Sequence, residues 1–325
     1  MNTIAFDNTG SPEEVLQIIS REKPIPGDEE VLVRVLAAPI NPSDIYFIEG
    51  SYRIKPRFPH QTAGLEAAGI VEKAGRGAGI SEGALVAFFY KDTWAEYVLV
   101  PAKELAVLPS DFPVDKAAQF SLNPFTAWGL LDMAAPAAGE WMLLTGANSA
   151  LGRIVIQLAH QRGINIIALV RDTTQTAELQ SIGAKLVYHL DDPDLAGHIQ
   201  QATDGKGLST ALDTIGGAAL TTIIQNMAAF GRLIIYGRIK DEPAQFDNGQ
   251  ILYKNLTIRG FGIRAFLSGQ TKAQRADMIL QLTNIIGRPS FQLPVTQTFP
   301  WREFGQALIQ NSRGGRDGKT LLRFS

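Results

Sequence analysis

The chain has 325 residues, with 30 basic against 32 acidic side chains, 45% apolar residues and no cysteine. A net charge of −2 argues against a broad phosphate-binding surface, and so against nucleic acid as the main partner. The missing cysteines exclude disulfides, thiolate nucleophiles, iron–sulfur clusters and Cys-based zinc sites.

The length predicts about two domains. Up to about residue 118 the chain reads as β-rich. Val31, Val33 and Val35 alternate with Leu32, Arg34 and Leu36, and short strands are expected at 69–75, 85–90 and 97–100. Asn41-Pro-Ser-Asp44 and Glu49-Gly-Ser-Tyr52 read as a loop-rich segment within this part. The longest apolar run, Ala84 to Tyr90, is too short to span a bilayer, so no membrane partner is expected. Asp7, Glu13 and Glu14 occupy the N-terminal stretch without a basic region leading into an apolar block, so cytoplasm is the expected compartment.

From about residue 119 strands and helices alternate. Strands are predicted at 141–145, 165–170, 185–190, 210–214, 231–236 and 256–260, with helices at 150–161, 174–181, 194–203 and 217–229 between them. This is the doubly wound α/β pattern of a dinucleotide-binding domain. A helix near 272–286, another at 301–310 and a last strand at 319–324 follow. The expected layout is 1–118, then 119–265, then a return to the first domain over 266–325, with the active site in a cleft between the two.

The first α/β strand ends in Thr145-Gly-Ala-Asn-Ser-Ala-Leu-Gly152. On the G-x-G-x-x-G frame only Gly152 is glycine, and Ala147 and Ser149 hold the other two positions. The strand before and the helix after carry the assignment. Small residues let the backbone approach a pyrophosphate, and the N–H groups from about Ser149 through Ala150 and Leu151 to Gly152 are expected to face the anion. The second strand leads into Arg171-Asp172-Thr173-Thr174. A carboxylate there suits the ribose hydroxyl of NADH, whereas an arginine pairs with the 2′-phosphate of NADPH. Arg171 comes first, so NADPH is expected.

Together, Ala38-Pro-Ile-Asn-Pro-Ser-Asp44, Gly64-Leu-Glu-Ala-Ala-Gly69, Trp94-Ala-Glu-Tyr97, the 146–152 loop and Asp213 to Gly217 resemble the medium-chain dehydrogenase/reductase superfamily over essentially the whole chain. The resemblance implies an irregular β-rich, GroES-like catalytic domain plus a doubly wound Rossmann dinucleotide-binding domain. It is to the zinc-free branch. Asn41 and Ser43 stand in the stretch where zinc members carry a cysteine ligand, and Leu65 stands where they carry a histidine. No metal is expected.

Within that branch the chain is similar to both 2-enoyl thioester reductases and NADPH quinone oxidoreductases. Ile48-Glu-Gly-Ser-Tyr52, Asn123-Pro-Phe-Thr-Ala127 and Val170-Arg-Asp172 lean toward the former. The implied reaction is hydride transfer from NADPH to the β-carbon of a conjugated carbonyl, with a trans-2-enoyl thioester as first choice and a quinone as alternative. From a different class, a low-turnover nucleotide-binding or redox-sensing protein is also kept. The resemblance implies Tyr52, Asn41 and Thr126 as catalytic residues. It implies Asn123, Thr126, Asn148, Tyr236, Gly237, Phe261 and Gly262 around the cofactor. Trp94 is placed against the substrate. Asn41 as a turn former, Asn123 as a helix cap, and Trp94 as core are the rival readings. A homodimer is expected through the edge of the cofactor-domain sheet, where an unpaired strand invites a second copy.

Overall fold

A computed structural model describes residues 1–240, 242–313 and 318–324. The chain divides into two units, 1–122 with 279–325 and 123–278. Arg316 and its neighbours 314–317 fall outside the described residues, as does Asp241.

The first unit is built from β1 (Asn2–Phe6), β2 (Gln17–Ser20), β3 (Glu30–Pro39), β4 (Gln61–Thr62), β5 (Glu66–Ala74), β6 (Leu85–Phe89), β7 (Tyr97–Pro101) and β8 (Leu105–Leu108). Short helices α1 (Pro12–Val15), α2 (Pro42–Ile48) and α3 (Val114–Ala117) join them. The second unit holds α4 (Asn123–Ala134), β9 (Trp141–Thr145), α5 (Ala150–Gln161), β10 (Asn165–Val170), α6 (Thr176–Ser181), β11 (Ala184–His189), α7 (Leu195–Ala202) and β12 (Leu208–Asp213). It continues through α8 (Ala218–Gln225), β13 (Met227–Ile235), α9 (Asn248–Lys254), β14 (Thr257–Gly260) and α10 (Ile263–Ser268). Helix α11 (Lys272–Ile286) carries the chain back to the first unit, which ends with β15 (Val295–Pro300), α12 (Phe304–Ser312) and β16 (Lys319–Arg323).

In the first unit the main sheet has the order β15-β16-β3-β5-β6-β8, with β7 also paired to β3. The alternation read over residues 31–36 is the alternation of β3, whose Val31, Val33 and Val35 are buried. The last strand is central to this sheet, because β16 pairs antiparallel with β3 and places Leu321 opposite Pro39. A smaller sheet, β2-β1-β4, lies beside it in sequence.

The second unit is a six-stranded sheet in the order β11-β10-β9-β12-β13-β14, with every neighbouring pair parallel. Its central strands β9 and β10 are nearly continuous apolar runs: Met142, Leu143 and Leu144 in β9 and Ile166 to Val170 in β10 are buried. Such runs fit strands covered on both faces. The order reverses beside β9, between β10 and β12, and that is where doubly wound sheets bind their ligands.

The segment expected as loop at 41–52 contains α2. Its start is a capping box: the Asn41 N–H donates to Asp44 Oδ2 at 2.7 Å, and Pro42 holds the first helical position. The turn residues that suggested a loop are the ones that start this helix. Helices α9 and α10 have no counterpart among the elements expected from the sequence.

Candidate active site

The C-terminal ends of the parallel strands gather five predicted segments at one edge of the second unit. They are 146–152 after β9, 171–174 after β10, 213–217 after β12, Tyr236-Gly237 after β13 and Phe261-Gly262 after β14.

Gly152 is required there by space. A Cβ on it would lie 2.5 Å from the Ala147 carbonyl oxygen and 2.6 Å from that of Gly146, both backbone atoms. The surviving glycine of the motif is therefore the one that lets α5 close onto its loop. Ser149 caps α5 by accepting from the Gly152 N–H at 3.0 Å, and the Ser149 N–H donates to the Gly146 carbonyl at 3.0 Å. This corrects the expectation that the N–H groups of Ser149 and Gly152 face an anion, since both are spent within the loop. Ala150 and Leu151 hold the first two helical positions, whose N–H groups have no acceptor inside a helix.

Arg153, which the sequence reading passed over, is buried on α5. Its guanidinium pairs with Glu178, whose carboxyl it holds below the usual range, and its Nε donates to the Asn148 carbonyl at 3.3 Å. Arg153 thereby fixes the main chain at Asn148. Asp213, fully buried at the end of β12, does the same for two strand ends, those of β9 and β12. It accepts from Thr145 Oγ1 at 2.7 Å and from the Gly216 N–H at 2.9 Å, while Thr145 Oγ1 accepts from the Thr214 N–H at 2.9 Å. The Tyr236 hydroxyl donates to the Thr145 carbonyl at 3.2 Å. Burial, then the Asp213 charge, push that phenol above its ordinary range, so it stays protonated and acts as a tether. A charged residue inside an otherwise apolar helix or strand was the available signal for Arg153 and Asp213.

Arg171 is exposed just beyond β10. Asp172 next to it caps a single helical turn, accepting from the Thr174 N–H at 2.9 Å, and this bond holds its carboxyl below the ordinary value. Its carboxylate is thus engaged with its own backbone. Helix α4, which carries Asn123 and Thr126, packs on the segment after β14: a Cβ on Gly129 would lie 2.8 Å from the Phe261 ring. Asn123, Thr126, Tyr236, Gly237 and Phe261 are half-buried and Gly262 is exposed.

In the first unit, Tyr52 is half-buried in the bend after α2, where its N–H donates to the Tyr46 carbonyl at 2.9 Å. Asn41 is 1% exposed. Its Nδ2 donates to Glu66 Oε2 at 3.0 Å, and its Oδ1 accepts from the Lys319 ammonium. Both ends of the amide are engaged inside the unit. Glu66 also accepts from the backbone N–H groups of Ser121 at 3.0 Å and Leu122 at 2.7 Å.

Burial raises the carboxyls of both Glu66 and Asp44, the latter to about 7. Glu66 has three N–H donors and Lys319 to support its charge. Asp44 has the Asn41 N–H at 2.7 Å, with weaker help from Lys319 and the Leu65 backbone. At both carboxyls burial opposes the charged form, while the N–H donors and the Lys319 charge favour it.

Trp94, expected against the substrate, has 0% exposure. Its ring packs on Gly64, where a Cβ would come 2.2 Å from Trp94 Cδ1 and where φ is +87°. The structure corrects this residue to core, because no part of the ring faces outward.

Two family models match the chain. The Alcohol dehydrogenase GroES-like domain covers residues 27–110, and Zinc-binding dehydrogenase covers residues 150–280. A zinc ion does not fit the residues here. Leu65 is buried and apolar, Asn41 and Glu66 are engaged with each other, and the Lys319 ammonium already occupies the amide oxygen, where it would repel a dication. Among the described residues no group of three or more His, Asp or Glu side chains is arranged to hold a metal ion.

The mitochondrial enoyl-[acyl-carrier-protein] reductase of Arabidopsis thaliana is 30% identical over 339 residues, covering 99% of this chain and 88% of that protein. A solved structure from Bacillus thuringiensis, provisionally described as an NADPH:quinone reductase, superposes with a TM-score of 0.90 at 26% identity, covering 100% of this chain and 99% of the other. A mycobacterial protein solved in complex with NADPH gives a TM-score of 0.83 at 25% identity, with 99% of each chain covered. The fold, the strand-end geometry and these likenesses agree: the chain belongs to the zinc-free branch of the medium-chain dehydrogenase/reductase superfamily and is an oxidoreductase.

Proposed function

We propose that this protein uses NADPH to reduce the carbon–carbon double bond of an α,β-unsaturated carbonyl compound, with a trans-2-enoyl thioester as its substrate class. The observation that carries the reading is the whole-length likeness to an enoyl-[acyl-carrier-protein] reductase in a chain with the strand-end geometry described above. Ala150 and Leu151 offer backbone N–H groups to the pyrophosphate, Gly152 allows its close approach, and Arg171 pairs with the 2′-phosphate. The Thr174 N–H fixes the Asp172 carboxylate toward its own backbone, and the Arg171 guanidinium supplies the cation for the phosphate.

Bound NADPH supplies the hydride that reaches the β-carbon. Charge then develops on the carbonyl oxygen, and the α-carbon needs a proton. Tyr52 is our candidate to donate to that oxygen or to supply that proton, since a phenol can do either without a metal. Thr126 positions the nicotinamide end. Asn41 contributes through the orientation that Lys319 and Glu66 give it.

The likeness to the Bacillus thuringiensis structure favours a second reading, reduction of a quinone by the same cofactor. Oxidation of NADPH measured with a panel of 2-enoyl thioesters, enones and quinones separates the two. Turnover with a thioester at least tenfold more efficient than with any quinone is expected. The reverse order selects the quinone reading, and no turnover with any of them leaves a nucleotide-binding protein.

A homodimer belongs to the same proposal. Strand β14 ends the sheet on one side, and Phe230, Leu252 and Tyr253, which lie on β13 and α9 near that side, are 74%, 67% and 84% exposed. An unpaired edge flanked by exposed apolar side chains suits a second copy. Light scattering at micromolar concentration tests it. Among the described residues no helix is long and apolar enough to cross a membrane. Cytoplasmic residence is likewise proposed, and cell fractionation distinguishes it from the mitochondrial placement in the relative's name.

A further inference from the structure

We propose that His189 is a positioning residue for Arg171, and through it sets the preference for NADPH over NADH. The proposal rests on the reading of Arg171 as the partner of the 2′-phosphate.

Strands β10 and β11 pair in parallel, and their last matched residues are Val170 and His189. The Leu190 N–H reaches back to the Val170 carbonyl at 2.7 Å. The ladder ends there, so the next carbonyl, that of Arg171, has left the strand pairing. His189 continues the pairing with its side chain. Its Nε2 lies 2.9 Å from the Arg171 carbonyl oxygen, and its Nδ1 accepts from the Asp191 N–H at 3.1 Å. A neutral imidazole carries one N–H. With Nδ1 accepting, the proton sits on Nε2, and Nε2 donates to Arg171.

The main chain at Arg171 is thereby held on both sides. His189 fixes its carbonyl, and the following residue, Asp172, is fixed by its cap to Thr174. An exposed arginine at a strand end pays an ordering cost each time it engages a phosphate, and anchoring its backbone beforehand reduces that cost. The anchor serves only a ligand that uses the guanidinium. NADH has a hydroxyl where NADPH has the phosphate, so its binding does not draw on this anchor, nor does hydride transfer once NADPH is bound.

The test titrates the full-length protein with NADPH and with NADH, following nicotinamide fluorescence, and measures kcat at saturating NADPH. Four proteins are compared: wild type, His189→Leu, His189→Gln and Arg171→Ala. Leucine removes the donor at similar bulk, while glutamine places an amide N–H at about the reach of Nε2. Loss of one hydrogen bond of this kind corresponds to about a three- to tenfold change in an equilibrium constant. His189→Leu is expected to raise the Kd for NADPH by that factor and to leave the Kd for NADH and kcat unchanged. His189→Gln is expected to stay within about twofold of wild type for both cofactors, as a retained hydrogen bond requires. Wild-type NADPH binding by His189→Leu overturns the proposal, and so does an equal loss with NADH. A glutamine variant as weak as the leucine one also overturns it. Arg171→Ala separates the two layers. If it weakens NADPH alone while His189→Leu is silent, only the role of His189 falls. If it weakens NADPH and NADH alike, the assignment of Arg171 falls and the role of His189 falls with it.

Discussion

The Lys319 ammonium on the last strand donates to Oδ1 of Asn41, 278 positions earlier in the chain. This bond fixes which way round the buried amide lies. With Oδ1 facing a cation, Nδ2 must face Glu66, and Glu66 in turn receives the backbone of Ser121 and Leu122. One cation thus ties together the start of α2, β5, β16 and the segment that leads out of the first unit.

Removing that cation leaves buried acidity without its counter-charge. Breaking one side of a buried charge cluster typically costs about 3–5 kcal/mol. Lys319→Met is expected to lower the urea midpoint of the first unit's unfolding by a stability loss of that order. The double variant Lys319→Met with Glu66→Gln is expected to recover part of the loss, because it removes the stranded charge as well. A Lys319→Met protein as stable as wild type shows that the carboxyls are satisfied without it.

Asp44 gives the first unit a pH dependence of definite sign. Its folded pKa, about 7, lies above the value of roughly 3.9 for an unfolded aspartate. Between those values the folded state binds more protons than the unfolded state. Stability from this group therefore falls as pH rises from about 4 to about 7, and is level above that. Asp44→Asn keeps an oxygen that accepts from the Asn41 N–H but cannot ionise. Urea unfolding of the two proteins across this range is expected to show a flatter decline in the variant; parallel profiles would mean that Asp44 titrates normally.

Gly152→Ala tests the loop before α5. The added methyl would meet two backbone carbonyl oxygens at 2.5 and 2.6 Å, and backbone cannot swing aside as a flexible side chain does. Overpacking of this kind costs about 1–3 kcal/mol or more and displaces the segment. The expected result is a lower melting temperature with NADPH affinity reduced at least about tenfold, if the displaced N–H groups of Ala150 and Leu151 hold the pyrophosphate as proposed. Calorimetry of the apo protein and NADPH titration measure the two effects separately.

Tyr52→Phe deletes one hydroxyl and keeps the ring. Removing a donor aimed at developing charge costs about 10²–10³ in kcat. If Tyr52 acts in the transition state, kcat and kcat/KM with a 2-enoyl thioester fall together by that factor while NADPH binds as before. Undiminished kcat would make Tyr52 a wall residue.

The sequence by itself determined the elements whose signal is local. The run Trp141–Thr145 and the helix Ala150–Gln161 were legible to the residue, because an apolar run ended by glycine and an amphipathic period each depend on neighbours in the chain. The six strands and the doubly wound pattern followed from strands alternating with helices, and Arg171 was visible as the first residue past its strand. Helix α2 was not legible, since Asn41, Pro42 and Asp44 serve turns and helix starts alike, and only the closed capping box decides between them. Tertiary structure also decided which N–H groups at the α5 terminus remain available, the burial of Trp94, the anchoring of Arg171 by His189 and the pairing of Lys319 with Asn41. Each depends on a partner brought in by strand order or by a loop's closure. Nothing in the neighbouring sequence marks such a partner, because a buried polar group is stabilised by what the fold places within about 3 Å of it, wherever that lies along the chain.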